Sequence, residues 1–167
     1  KKAPDFVKRS EAANWNRSGT HVIAADNEGY VAIFEGDECK PFGKPFRHAP
    51  AVGATALTND AKYAITSGRD QFVRVWEIDK LAAGDTKPLS EFRFGQSVPE
   101  SFAFSKDGRY LYGSSYYTGV SNIFRYEVAT GAVEAVSNAE VGFFRPAEMA
   151  DGKMLVLSYT GQGFVPA

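Results

Sequence analysis

One short pattern recurs along this chain: a polar turn followed at once by a run of apolar or alternating residues. Asn59-Asp60-Ala61-Lys62-Tyr63 and Lys106-Asp107-Gly108-Arg109-Tyr110 are two copies, 47 residues apart. Asp151-Gly152-Lys153-Met154 follows 44 residues after the second, and Ser18-Gly19-Thr20-His21-Val22 lies 42 residues before the first. The runs behind these turns, Val22–Ala25, Tyr63–Thr66, Tyr110–Gly113 and Met154–Leu157, have the length and alternation of strands. A second run follows in three copies: Tyr30–Phe34, then Phe72–Trp76 42 residues on, then Asn122–Tyr126, displaced by an insertion at Tyr116-Tyr117-Thr118-Gly119. A further strand precedes each unit, ending at Trp15, Leu57, Phe104 and Met149, and weaker outer strands fall at 43–47, 89–94 and 132–137. A repeat of this length cannot bury its apolar face alone and must stack on its neighbours.

Four short strands per unit, a period in the forties and no helical spacing predict an all-β chain of β-propeller blades, each of four antiparallel strands. Segment 79–84 is expected to be a loop. The 167 residues hold about three and a half blades. Residues 1–95 carry two, with boundaries near 50 and 96; residues 96–167 carry the rest, the last stopping after its second strand near Tyr159. An open arc exposes strand edges and apolar faces. The expectation is therefore part of a seven- or eight-bladed ring, its missing blades supplied by further chain or by a second copy closing the ring as a homodimer.

Composition narrows the partners. Lys and Arg number 19 against 20 Asp and Glu, which lacks the basic excess of a nucleic-acid binder. With 44% hydrophobic and 14% aromatic residues the chain can build a core. No run approaches the roughly 18 apolar residues of a membrane helix. The single cysteine, Cys39, cannot form an internal disulfide and reads as an inert loop thiol beside Lys40.

Chemistry is sparse. There is no Gly-x-Ser-x-Gly elbow and no paired-histidine zinc motif, and no cofactor, metal or catalytic residue is expected. Asp26-Asn27-Glu28-Gly29 reads as a turn rather than a calcium loop, lacking alternating ligands and a distal Glu. Asn16-Arg17-Ser18 fits the glycosylation triplet. Tyr112, Phe124 and Tyr126 read as packing between blades. Tyr116 and Tyr117 fall in the insertion, where loop aromatics serve binding, and Phe143, Phe144 and Arg145 form a second candidate surface. Arg69, Arg74, Arg125 and Arg145 are evenly spread, with nothing in sequence to bring them together.

The stretch from Ile65 to Glu77, Ile-Thr-Ser-Gly-Arg-Asp-Gln-Phe-Val-Arg-Val-Trp-Glu, resembles the core of a WD40 repeat, ending Trp-Glu where Trp-Asp is usual. The resemblance implies a structural hydrogen-bonded tetrad of His48, Thr66, Asp70 and Trp76. In the first unit Glu28 stands at the Asp position and Phe34 at the Trp position, so that unit cannot repeat it. From about residue 96, Pro99–Tyr110, Asn122–Glu127 with Ala129-Thr130-Gly131, and Phe144-Arg145-Pro146 with Ala150–Lys153 resemble TolB-type, WD40-like blades. These resemblances imply a non-catalytic scaffold for protein–protein interaction. Two alternatives stand beside it: an accessory propeller of a larger enzyme such as a serine peptidase, and a propeller enzyme with a central-channel site. The second half leans toward a bacterial envelope and the first toward the cytoplasm, leaving the compartment open.

Overall fold

The computed structural model describes residues 10–48, 51–93 and 102–167. The expected blade boundaries near 50 and 96, and the Pro99–Ser101 part of the TolB-like opening, lie outside the described residues. The chain forms two compact units, Lys1–Arg93 and Phe94–Ala167.

In the first unit, β1 (Ser10–Trp15), β2 (His21–Asp26) and β3 (Tyr30–Glu35) run antiparallel, and two short strands, β4 (Lys40–Pro41) and β5 (Phe46–Arg47), both pair with β3. The second blade is a meander of β6 (Val52–Leu57), β7 (Tyr63–Gly68), β8 (Phe72–Glu77) and β9 (Ser90–Arg93). The second unit holds β10 (Phe102–Phe104), β11 (Tyr110–Ser115), β12 (Asn122–Glu127) and β13 (Val133–Ala135), then β14 (Phe143–Glu148), β15 (Met154–Thr160) and β16 (Gly163–Pro166). Every pairing is antiparallel, as propeller blades require.

The repeat has a physical cause in its first turn. Asn16, Thr58, Ser105 and Met149 each accept a backbone bond three residues on, from Gly19, Ala61, Gly108 and Gly152, at 2.9–3.1 Å. Three of these positions also supply a side-chain acceptor to the next strand: Asn16 Oδ1 takes Thr20 and His21 N–H, Thr58 Oγ1 takes Lys62 and Tyr63 N–H, and Ser105 Oγ takes Tyr110 N–H. Such polar residues hold a tight turn by serving its free N–H groups. Asn16 is therefore committed: it is 3% exposed and its Nδ2 donates to Thr20 Oγ1 and the Asn59 carbonyl. In the folded chain the Asn16 triplet presents no free amide to a glycan.

Two expectations are corrected. The fourth blade does not stop near Tyr159. Thr160 Oγ1 accepts the Gln162 N–H and donates to the Gly163 carbonyl, which folds Thr160–Gly163 into a turn and brings β16 back along β15. The expected loop at 79–84 instead begins as a short helix, α1 (Ile78–Ala82). Ile78 and Leu81 sit one turn apart and both bury, joining a core of Ile23, Val31, Ile33, Phe46 and Trp76. Gly43, at φ 75°, lets the chain before β5 pass beneath this helix; a Cβ there would stand 2.8 Å from Ala82 Cα.

Candidate functional site

Two groups of residues gather what the sequence singled out. The first lies in the second blade. Trp76 Nε1 donates to Thr66 Oγ1 at 2.8 Å, and Thr66 Oγ1 lies 2.6 Å from His48 Nδ1. His48 Nε2 stands 3.5 Å from Asp70 Oδ1, which accepts the Phe72 N–H at 3.2 Å. Thr66 and Trp76 are 0% and 2% exposed. A hydroxyl and an indole N–H buried so deeply are tolerable only when bonded. The fit at the imidazole is tight: a Cβ on Gly68 would lie 2.5 Å from His48 Nε2, so only glycine can end β7 here.

The sequence reading named Arg74 but did not place it in this network. Its Nη1 lies 2.9 Å from His48 Nε2 and donates to Asp70 Oδ2 at 2.7 Å, while its Nε donates to Glu91 Oε2 at 3.1 Å. The signal was available: alternation along β8 puts residues 74 and 76 on one face, and Arg74 pairs directly with Thr66. With the ring proton on Nδ1, that N–H donates to Thr66 Oγ1 and Nε2 accepts from Arg74 Nη1; a protonated ring would face a guanidinium. Burial first, and the Arg74 cation second, lower the His48 pKa from 6.5 to about 4, against the pull of Asp70. Burial raises the Asp70 pKa, but bonds from Arg74 and the Phe72 N–H outweigh it and hold that carboxyl below its ordinary value.

The first blade solves the same problem differently. Its turn is served by Asp26, not Glu28: Asp26, 0% exposed, accepts the N–H groups of Glu28 and Tyr30 through Oδ1 at 3.0 and 2.8 Å. Asp26 ends β2 as Gly68 ends β7, so a carboxylate sits where the second blade leaves room for an imidazole. Truncating Asp70 tests how much the second-blade arrangement holds. Asp70→Ala is expected to lower unfolding free energy by about 1–3 kcal/mol, since Arg74 and the Phe72 N–H lose their acceptor. Urea unfolding gives the value, and a change within error removes Asp70 from the energetics of the blade.

The second group is in the second unit. Tyr116 and Tyr117 are 57% and 75% exposed in the β11–β12 loop. Tyr116 meets Phe144 edge-on at 6.0 Å, Phe144 meets Phe164 at 5.2 Å, and Phe164 meets Tyr159 at 5.4 Å. Tyr117 turns away to the edge of Phe124 at 6.4 Å. Phe143 is half-buried outside this row, its backbone bonded to Ser121. Arg145 is exposed at φ 48°, in the irregular register between Phe144 and Ala147. Tyr116 and Phe144 are thus brought together, with Phe164 and Tyr159 added to them. Of the four arginines of the sequence reading, Arg125 is tied to Glu134, and Arg74 to Asp70 and Glu91.

The loop under Tyr116 is held by a residue that the sequence reading placed only as the first of a strand. Asn122, 3% exposed, donates through Nδ2 to Thr118 Oγ1 at 2.9 Å. Its Oδ1 accepts Ser137 Oγ and the Ala139 N–H at 2.9 and 2.7 Å. Ser115 Oγ accepts the Tyr117 N–H, and Gly119 N–H bonds the Tyr116 carbonyl. Side chains on a loop fixed at this many points lose little freedom when a partner arrives. Among the described residues, no group of three or more His, Cys, Asp or Glu is placed to hold a metal, and no helix is long and apolar enough to cross a membrane.

No protein-family model matches the chain. Two Saccharomyces cerevisiae proteins are similar to it. Ribosomal RNA-processing protein 9 is 28% identical over 110 residues, 66% of this chain and 17% of that protein. COMPASS component SWD1 is 24% identical over 94 residues, 54% of this chain and 21% of that protein. The chain spans about a fifth of the length of the curated relatives it matches. Both are WD40-repeat proteins, and the resemblance of this chain to WD40-type β-propeller blades agrees with its antiparallel sheets.

Proposed function

We propose that the chain is part of a non-catalytic β-propeller scaffold that binds a protein partner through Tyr116 and Tyr117, with Phe143, Phe144 and Arg145 at the flank. The observation that carries this reading is the pair of exposed tyrosines on a loop fixed by buried Asn122. Tyrosine gives large contact area for two restrained torsions and is a common anchor in interfaces. One relative is by its name a component of an assembly, which favours the same kind of role here. In this reading residues 1–95 and 96–167 each contribute blades to a ring of seven or eight, completed by further blades or a second copy.

The test is quantitative co-purification from cell extract of the wild-type chain and a Tyr116→Ser/Tyr117→Ser variant. Partner recovery is expected to fall by about tenfold or more, the scale of two lost anchors. The melting temperature is expected to stay nearly constant, because neither ring is buried. An unchanged set of bound proteins at unchanged yield overturns the assignment to this loop.

A further inference from the structure

A second surface, on different residues and in the first unit, carries charge that the fold does not use. Two blades repeat one arrangement at the start of their third strand. Tyr30 pairs with Arg47 across β3 and β5, and Phe72 pairs with Arg93 across β8 and β9. In both, the next pair inward is a valine against a phenylalanine, Val31 with Phe46 and Val73 with Phe92. Each outer arginine lies over the ring it faces: Arg47 at 5.4 Å from the Tyr30 centroid, Arg93 at 4.9 Å from that of Phe72. The ring covers one face of the guanidinium and not its N–H edges, which clasp a carboxylate in two parallel bonds; Arg47 spends one N–H on the Glu28 carbonyl.

Backbone bonds link the two arrangements. His48 N–H bonds the Gly29 carbonyl at 3.0 Å, the Ala51 N–H bonds the Asn27 carbonyl at 3.1 Å, and the Arg69 N–H bonds the Ala51 carbonyl at 3.0 Å. Ala51 thus stitches the β2–β3 turn to the β7–β8 turn, which carries exposed Arg69. Ala51 and Gln71 sit at φ 56° and 68°. These left-handed conformations cost a non-glycine residue energy, and such strain gathers where backbone shape serves a site.

Two of the acids beside these arginines share one cation. Arg74 takes both Asp70 and Glu91. Arg47 reaches only the Glu28 carbonyl, at 3.3 Å. Arg47, Arg69 and Arg93 have no carboxylate partner among the described residues.

We infer that Arg47, Arg69 and Arg93 form a docking ridge for an extended, Asp- and Glu-rich segment of a partner protein. Charge complementarity sets the ligand class, and the adjoining acids choose within it. Acids adjoin the arginines: Asp70 follows Arg69 in the chain, Glu91 is two residues before Arg93 on β9 and the Glu28 carbonyl accepts from Arg47, so the closely spaced phosphates of a nucleic acid would meet mixed charge here. A peptide can place its carboxylates at the arginines and neutral residues at the acids.

The experiment uses the full 167-residue chain and a fluorescein-labelled peptide of alternating glutamate and serine, read by fluorescence anisotropy at low salt. The same peptide with glutamine for glutamate and a single-stranded DNA of equal charge serve as comparison probes. The glutamate peptide is expected to bind best, and added salt to weaken it. The triple variant Arg47→Gln/Arg69→Gln/Arg93→Gln is expected to lose about tenfold or more, a few-fold per arginine. Removing the same charge elsewhere, with Lys44→Gln/Lys62→Gln/Lys87→Gln, is expected to change little. Should the triple variant fold poorly, Arg69→Gln alone, in an exposed turn, must still weaken binding. The inference is overturned if the glutamine peptide binds as well, if both triple variants lose equally, or if DNA binds more tightly and is lost with the arginines. Because Tyr116 and Tyr117 are untouched, failure here leaves their assignment standing, and the reverse also holds.

Discussion

Trp76→Ala is expected to destabilise the chain by about 3–5 kcal/mol, a large part of what a small domain has to lose. Three terms combine. The side chain is 2% exposed in the core shared by the first two blades, so its apolar area is lost from packing and a cavity remains. Its ring leans on Phe46 at 4.8 Å, which anchors β5. Its indole N–H is a donor to Thr66 Oγ1. Trp76→Phe separates these contributions: it keeps most of the bulk, deletes the donor, and is expected to cost about 1–2 kcal/mol for the bond plus the smaller ring. Urea unfolding of the three proteins by tryptophan-independent circular dichroism gives both values. If Trp76→Ala unfolds within about 1 kcal/mol of wild type, the core between these blades does not depend on the residue as its burial requires.

The same network that stabilises the second blade also shapes its surface. Arg74 runs from the buried imidazole of His48 to exposed Glu91, and its single charge is shared by Asp70 and Glu91. Loss of Arg74 would therefore do two things: leave Asp70 without its cation and return two acids to the face where Arg69 and Arg93 stand. Stability and surface charge are coupled in this blade through one side chain. In the first blade Asp26 binds its own turn through Oδ1 alone, and its buried Oδ2 takes no hydrogen bond.

What the sequence made legible follows from which contacts are local. The turns that begin each second strand recur because Asn16, Thr58 and Ser105 bond residues four or five positions on, so period and strand order could be read directly. Thr66, Asp70 and Trp76 sit on one hairpin at fixed spacing, which is why a motif could point to them. The place of Arg74 in the network was missed although it lies in that motif, since its role depends on which face of β8 it shares with Trp76. Asn122 was beyond reach for another reason: its partners Ser137 and Ala139 lie past β13, and no pattern links an asparagine at a strand start to a segment so far on. The helix α1 escaped because five residues carry too little periodicity; tertiary burial of Ile78 and Leu81 decides it. The third strand of the fourth blade was missed because its turn is built on Thr160, where the first two blades use Asp26 and Asp70.

Stability is expected to fall as pH drops from about 6.5 to about 4, by up to about 3 kcal/mol, through His48 alone. The sign follows from the direction of the shift. In the unfolded chain the imidazole takes a proton near 6.5; in the fold it stays neutral to about 4, because burial and then Arg74 oppose the charge. Between those values the unfolded state binds more protons, so acid favours unfolding, and below about 4 both states are protonated and this contribution is spent. Asp70 acts in the same direction at lower pH: its carboxyl is held below its ordinary 3.8, so its contribution is present above that value and disappears as pH falls through the folded-state pKa. Glu91, the other acid on Arg74, is half-exposed and adds a screened contact. The measurement is unfolding free energy from urea titrations at several pH values, for wild type and His48→Gln. The variant should be less stable at pH 7 and flatter between 6.5 and 4, because glutamine can keep bonds in the pocket without titrating. If wild type and variant lose stability in parallel over that window, His48 is not the group that acid attacks, and the buried link between Thr66 and Arg74 does not govern acid stability.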